Sequence, residues 1–234
     1  MQIQSSVVAD ILSRAGFDWI AVDLEHGAFS LDQLPALFSI MKRYGVVALA
    51  RVAQNHPKDI KQALDAGAEG VIVPMVGSQA DMKHLVEWAS YPPRGSRGIG
   101  FSNANAFGGT FENYFQNFND EMILVAQLES IEAVGNIESM LSVEGIDALM
   151  IGPYDLSGSM GLTGQFDHPD FLAAMNRVKL AAEQRGVPMG THIVQPDSDR
   201  LEAAIESGSR FIAYSTDSVL LRSSLNSISQ RIGK

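Results

Sequence analysis

Apolar runs and amphipathic stretches alternate along the 234-residue chain. Seven runs read as strands, at 18–23, 46–51, 70–76, 122–129, 148–153, 187–194 and 211–217. None shows the strict apolar–polar alternation of a sheet with one wet face, so both faces are expected to be covered. Between the runs lie segments with apolar residues at three- and four-residue spacing. In 58–66, for example, Ile60, Ala63 and Leu64 share one helical face. Glycine follows several of these segments, as at Gly67, Gly186 and Gly208, where a left-handed helix end suits it. Such alternation predicts a parallel sheet with right-handed crossovers. Run starts recur roughly every 25 residues, the length of a compact strand–helix unit. The exception is the gap between the third and fourth runs, which holds an irregular stretch at 91–120 rich in Gly, Pro, Asn and Phe. A stretch that long is expected to carry an extra helix near 110–117, a lid or a subunit contact.

Seven strands leave the architecture open between a doubly wound sheet and a closed barrel. No Gly-x-Gly-x-x-Gly turn follows any run, which disfavours the dinucleotide-binding form. The sequence therefore predicts one (β/α)8 TIM barrel over 1–234, its first strand short or truncated within residues 1–4. A helix is expected at 6–15 and a C-terminal helix at 218–232.

Composition narrows the function. Seventeen Lys and Arg against 27 Asp and Glu leave a net charge of −10, which opposes binding to nucleic acid or to an anionic membrane surface. The absence of cysteine removes disulfides, thiolate metal sites and cysteine nucleophiles. No leader pattern is present, and no apolar run nears the ~20 residues that span a bilayer; a cytoplasmic protein is expected.

In a parallel barrel, reactive groups collect at the carboxyl ends of the strands. Those ends carry Asp23, Glu25 and His26, then Arg51, then Gln127 and Glu129, then Gly152, Pro153, Tyr154 and Asp155, and finally His192 and Asp217. Buried charges need partners, so this gathering implies mutual pairing or a bound ion. Glu129 and Asp155 offer hard oxygen ligands suited to Mg²⁺ or Mn²⁺; alternatively each caps a helix or pairs with an arginine. His26 can serve as a proton acceptor or simply bond the local backbone. Arg51 can face a substrate oxyanion, or equally Asp23 or Glu25. His192 is a second-tier candidate, and His56, His84 and His168 read as surface residues.

Several segments resemble the HpcH/HpaI aldolase family. They are Phe17-Asp18-Trp19-Ile20-Ala21-Val22-Asp23-Leu24-Glu25-His26-Gly27, Ile60-Lys61-Gln62-Ala63-Leu64-Asp65-Ala66-Gly67, Val73-Pro74-Met75-Val76, Tyr91-Pro92-Pro93-Arg94-Gly95-Ser96-Arg97-Gly98 and Ile151-Gly152-Pro153-Tyr154-Asp155-Leu156-Ser157. They occur in order over most of the chain. The resemblance implies a class II aldolase that uses Mg²⁺, Mn²⁺ or Co²⁺. Its reaction would be reversible cleavage of a 4-hydroxy-2-oxo acid to pyruvate, or a close 2-oxo acid, and an aldehyde through a metal-stabilised enolate. It also implies Glu129 and Asp155 as metal ligands and Gln127 beside the bound keto acid. Arg51 would sit at the reacting oxygens, and His26 would be the acid–base group with Asp65 as its carboxylate partner. Backbone around Gly152, Pro153 and Tyr154 would receive the substrate carboxylate. The strand ends carry no lysine for a Schiff base, consistent with a metal route. A homo-oligomer, a hexamer by resemblance, is implied as well. Other readings are a related acyl-CoA lyase, a 2-oxo acid decarboxylase and a catalytically silent barrel subunit.

Overall fold

The computed structural model describes the backbone of residues 1–231 and the side chains of residues 1–228. All seven predicted strands form: β1 (Trp19–Asp23), β2 (Val47–Arg51), β3 (Gly70–Val73), β4 (Ile123–Leu128), β5 (Ala148–Ile151), β6 (Met189–Ile193) and β7 (Phe211–Tyr214). They make one parallel sheet in the order β1-β2-β3-β4-β5-β6-β7, so every neighbour in sequence is a neighbour in space. The sheet curls. Trp19 on the first strand and Phe211 on the last stack at 4.4 Å and 2°, which requires the two ends of the sheet to turn toward each other.

The unbroken apolar character of the runs follows from this shape. One face of the sheet points into the curl, where Leu49, Ile72, Val125, Ala148 and Met150 form an inner cluster. The other face, with Val22, Ala48, Val71, Leu124 and Leu149, packs outward. Helices α1 (Ser6–Ser13), α2 (Leu34–Arg43), α3 (Pro57–Asp65), α4 (Gln79–Ala89), α6 (Ile131–Met140) and α8 (Pro169–Arg185) lie in that outer layer, and α9 (Ser198–Glu206) follows β6. Two of the three histidines read as surface residues start helices, and the third, His84, lies within α4. His56 and His168 accept from the backbone N–H of Lys58 and Asp170, each just ahead of a proline at the first helical position.

The irregular stretch is ordered. It holds a 3-10 turn at Asn103–Gly108 and the expected extra helix, α5 (Phe111–Glu121). The fully buried Arg97 side chain anchors it, with its guanidinium over the rings of Tyr91 and Phe118 at 4.5 and 4.4 Å. A short helix, α7 (Pro153–Ser159), follows β5, and α10 (Asp217–Arg231) ends the described backbone. The last residue of the expected C-terminal helix, Ile232, lies outside the described residues. Leu221, Leu225 and Ile228 of α10 form an exposed apolar stripe at helical spacing.

Residues 1–3 run beside β1 without becoming a strand. The Met1 ammonium donates to the Ala21 carbonyl at 2.7 Å, and Asp23 N–H donates to the Met1 carbonyl at 3.0 Å. Asp217 holds the next two residues, accepting from Gln2 N–H at 2.6 Å and Ile3 N–H at 2.9 Å. Its carboxylate is thus a structural tie for the start of the chain. Among the described residues no helix is long and apolar enough to cross a membrane.

Candidate active site

The carboxyl ends of β1, β2 and β4 bring Asp23, Glu25, Arg51, Gln127 and Glu129 together. Paired strand positions share a face, and β1 aligns Asp23 directly with Arg51 on β2. The pair is bidentate: Arg51 Nε donates to Asp23 Oδ1 at 2.9 Å and Nη2 to Oδ2 at 2.7 Å. Asp23 Oδ1 also accepts from the backbone N–H groups of Glu25 and His26, each at 3.2 Å, and Oδ2 from Gln2 Nε2 at 3.0 Å. Burial by itself would raise this carboxyl. The Arg51 hydrogen bonds and charge, helped by Gln2 and the His26 N–H, outweigh it and bring the group down to about 2. Asp23 is therefore a permanent anion that orients Arg51.

Glu25 flanks the same guanidinium. Its Oε2 lies 3.2 Å from Arg51 Nη1 as an ion pair without hydrogen-bond geometry. Burial pushes its carboxyl up, opposed by Arg51. Arg51 thus meets both carboxylates that the sequence offered as its structural partners, and it still has N–H groups on Nη1 and Nη2 to turn toward another acceptor.

Glu129 is buried, with Oε2 accepting from Met75 N–H at 2.8 Å and Oε1 from Gln127 Nε2. Burial raises its carboxyl, and the Asp155 charge raises it further. The Met75 N–H, Gln127 and Arg51 oppose that rise without cancelling it. Met75 reaches this position because Pro74 ends β3 and the chain turns left-handed there, at φ 57°. A methionine in that conformation is uncommon, and no pattern in the sequence announced it. Gln127 keeps Oε1 buried and unpartnered.

Gly152, in the backbone expected around the substrate carboxylate, supplies room beside Glu129. Its own N–H is taken by the Leu128 carbonyl at 3.1 Å. A Cβ placed on it would sit 2.9 Å from Glu129 Cγ and 3.0 Å from Oε1. Pro153 opens α7, Tyr154 is exposed and packs edge-on against Phe166, and Asp155 lies in the first turn of that helix with its charge felt at Glu129. His26 is exposed on the loop after β1, beside Glu25. Gly27 permits the turn that holds it, since a Cβ there would meet the Asp23 carbonyl at 2.2 Å.

One expected pairing does not occur within the chain. Asp65 ends α3, ahead of β3 and so at the amino end of the sheet, whereas His26 follows β1 at the carboxyl end. Asp65 instead pairs with Arg97 at 2.6 Å. A helix that returns the chain between two parallel strands places its last residue at the opposite end of the sheet from the strand tips, which separates the two groups.

The residues at the tip suit an oxygen-ligating divalent cation. A buried carboxyl raised by burial and by a second carboxylate is a pair that a cation would relieve. Among the described residues, no three His, Cys, Asp or Glu side chains gather as a complete metal site.

Comparison with known proteins agrees with this geometry. Residues 2–224 match the family model described as HpcH/HpaI aldolase/citrate lyase. A hydroxypyruvate/pyruvate aldolase of Sagittula stellata is 35% identical over 93% of this chain and 85% of its own. A 4-hydroxy-2-oxo-heptane-1,7-dioate aldolase of Escherichia coli is 33% identical over 99% and 88%. The crystal structure of an HpcH/HpaI aldolase from Desulfitobacterium hafniense superimposes with a TM-score of 0.92 at 33% identity, covering 99% of this chain and 90% of that one. A curled parallel sheet whose tips carry Asp23, Arg51, Glu129 and Asp155, and a match over nearly the whole length, lead to one conclusion: this chain belongs to the HpcH/HpaI aldolase/citrate lyase family.

Proposed function

We propose that this protein is a divalent-metal-dependent carbon–carbon lyase that reversibly cleaves a 4-hydroxy-2-oxo acid to pyruvate, or a close 2-oxo acid, and an aldehyde. The observation that carries the reading is the pairing at one rim of two opposed features. An arginine is oriented by two carboxylates, and a buried glutamate is raised by burial and by Asp155. Aldolase names on relatives at 33–35% identity support it. We further infer that the curled sheet is the wall of a (β/α)8 barrel in which residues 1–3 lie along the position of the first strand. Their hydrogen bonds to β1 support that reading.

Glu129 and Asp155 would hold Mg²⁺, Mn²⁺ or Co²⁺, which when bound supplies Lewis-acid polarisation of the 2-oxo group. Arg51 turns its remaining N–H groups toward the oxygen on which negative charge grows, and Asp23 and Glu25 keep the fork from swinging away. His26, exposed at the mouth, takes the proton of the C4 hydroxyl. The C3–C4 bond then breaks, its electron pair passing to C3 and the 2-oxo oxygen as an enolate while C4 leaves as the aldehyde. Returning a proton to C3 completes the 2-oxo acid and restores the base.

The test is pyruvate release from a 4-hydroxy-2-oxo acid by the purified protein, with and without EDTA. Release that requires added Mg²⁺, Mn²⁺ or Co²⁺ and collapses in His26→Ala is expected. Release indifferent to EDTA removes the metal from the proposal. We also propose that the exposed stripe of α10 packs in a homo-oligomer; light scattering showing a monomer that is unchanged by Leu225→Glu would discard it.

A further inference from the structure

The end of β3 departs from a regular ladder. Ile123 N–H donates to the Glu69 carbonyl, and β3 and β4 keep register from Gly70 opposite Ile123 to Val73 opposite Ala126. In a parallel pair, every second residue of a strand turns its N–H toward the same neighbour. One further step of this register would bring the Met75 N–H to the Gln127 carbonyl. The Val76 N–H takes that carbonyl instead, at 3.2 Å, and the Val76 side chain is fully buried. The chain has therefore gained one residue at the strand end, a bulge, and the Met75 N–H is released from the ladder. It donates to Glu129 Oε2 at 2.8 Å.

Successive N–H groups of an extended chain point to opposite sides. Met75 and Val76 both point to β4, and the turn to φ 57° at Met75 makes that possible. This backbone region is unfavourable for any residue with a Cβ, and glycine takes it freely. Core packing does not explain the methionine, because its side chain is 67% exposed. Strain of this kind persists where surrounding contacts over-determine it, and here they converge on Glu129. Gln127, whose carbonyl holds Val76, donates through Nε2 to Glu129 Oε1. Gly152 lies so close that a Cβ on it would sit 3.0 Å from the same oxygen. Each carboxylate oxygen thus accepts one hydrogen bond from the protein and keeps a further lone pair.

We propose that Met75 is a positioning residue that acts through its backbone: the bulge turns a ladder N–H into a clamp on Glu129 Oε2 and fixes the carboxylate in the orientation that receives a divalent cation. This rests on the reading of Glu129 as a metal ligand. Gln127 and Met75 grip different oxygens, so together they set the rotation of the carboxylate about its Cγ–Cδ bond. Without the Met75 N–H, only the Gln127 contact would oppose that rotation, and a cation would have to bear the cost of ordering the group. The requirement falls on φ at position 75. Tolerance of substitution there should follow the freedom to adopt left-handed backbone, not the size or polarity of the side chain.

The experiment measures Mn²⁺ binding by titration calorimetry in the wild type, Met75→Gly, Met75→Asn and Met75→Ile, with a melting curve in EDTA to show that each is folded. Glycine and asparagine accept left-handed backbone, whereas isoleucine, apolar like methionine, resists it. Affinity is expected to stay within about threefold of wild type in Met75→Gly and Met75→Asn. It should fall at least about tenfold in Met75→Ile, the scale of one hydrogen bond to a charged group. Wild-type affinity in Met75→Ile overturns the proposal, because the backbone conformation then does not matter. Equal losses in all three variants also overturn it, because the side chain then does. If the wild type binds no Mn²⁺, the metal reading of Glu129 fails, and amide exchange in EDTA decides the clamp alone, as it does if Met75→Ile does not fold. Relative to the Val76 N–H, the Met75 N–H should exchange at least about tenfold more slowly in the wild type than in Glu129→Ala; equal exchange rejects the clamp.

Discussion

Asp23→Asn removes one negative charge from the rim while keeping the shape of the side chain and an oxygen for Arg51 Nε. In the folded protein the Asp23 carboxyl lies at about 2 against an ordinary 3.8. At about 1.4 kcal/mol per pH unit, that drop corresponds to about 2.5 kcal/mol of stability at neutral pH. The side chains of Asp23 and Arg51 are only 7% and 15% exposed, so solvent screens the pair little. Loss of one partner from a buried pair leaves the other charge uncompensated, an effect of about 3–5 kcal/mol when nothing replaces it. Here Glu25 remains beside Arg51, which favours the smaller figure. A depressed carboxyl contributes fully above its unfolded value and loses that contribution as pH falls through its folded value. The stabilisation is therefore present above pH 4 and disappears toward pH 2. Urea unfolding in EDTA at fixed protein concentration should show Asp23→Asn less stable by about 2–3 kcal/mol at pH 7, with a Tm lower by about 5–10 °C for a chain of this size. The gap should narrow as the pH is taken below 4. A variant within about 0.5 kcal/mol of wild type at pH 7, or a gap independent of pH, would refute the coupling of Asp23 to Arg51.

Arg51→Lys should lower kcat/KM by about 100-fold or more, because an ammonium cannot span Asp23 bidentately and also face an oxyanion; wild-type rates would return Arg51 to a purely structural role. Glu129→Gln should reduce metal-dependent turnover at least about 100-fold. In EDTA the same variant should be more stable than wild type near pH 8. Since burial raises this carboxyl, the folded state resists its ionisation, and wild-type stability falls as pH rises from about 4.5. Denaturation at pH 4 and pH 8 checks the sign, and a variant less stable at pH 8 would contradict it. Gly152→Ala places a Cβ 2.9 Å from Glu129 Cγ. It should displace Glu129 at about 1–3 kcal/mol of stability and weaken Mn²⁺ binding measured by calorimetry; unchanged binding would show that the crowding is relieved elsewhere.

Much of the fold is legible in the sequence. The seven runs became the seven strands, with no end shifted by more than three residues, because a strand covered on both faces writes itself as a continuous apolar stretch. The helix inside the irregular stretch was visible as a weak pattern near 110–117 and extends to Glu121. The order of that stretch was not visible, since it depends on Arg97 finding Asp65, Tyr91 and Phe118, residues up to 32 positions away.

The sequence by itself determined the strand–helix alternation, the parallel sheet and the clustering of ionisable residues at one end of it. These follow from local periodicity and from the rule that parallel strands share a direction. Tertiary structure alone decided which charges meet. It aligned Asp23 with Arg51 across two strands, lodged Glu129 under the backbone of Met75, and carried Asp65 to the far end of the sheet. Each of these depends on strand register, on a left-handed residue at a strand end, or on the path of a returning helix. All three are set by packing between segments far apart in the chain, which spacing along the chain does not encode.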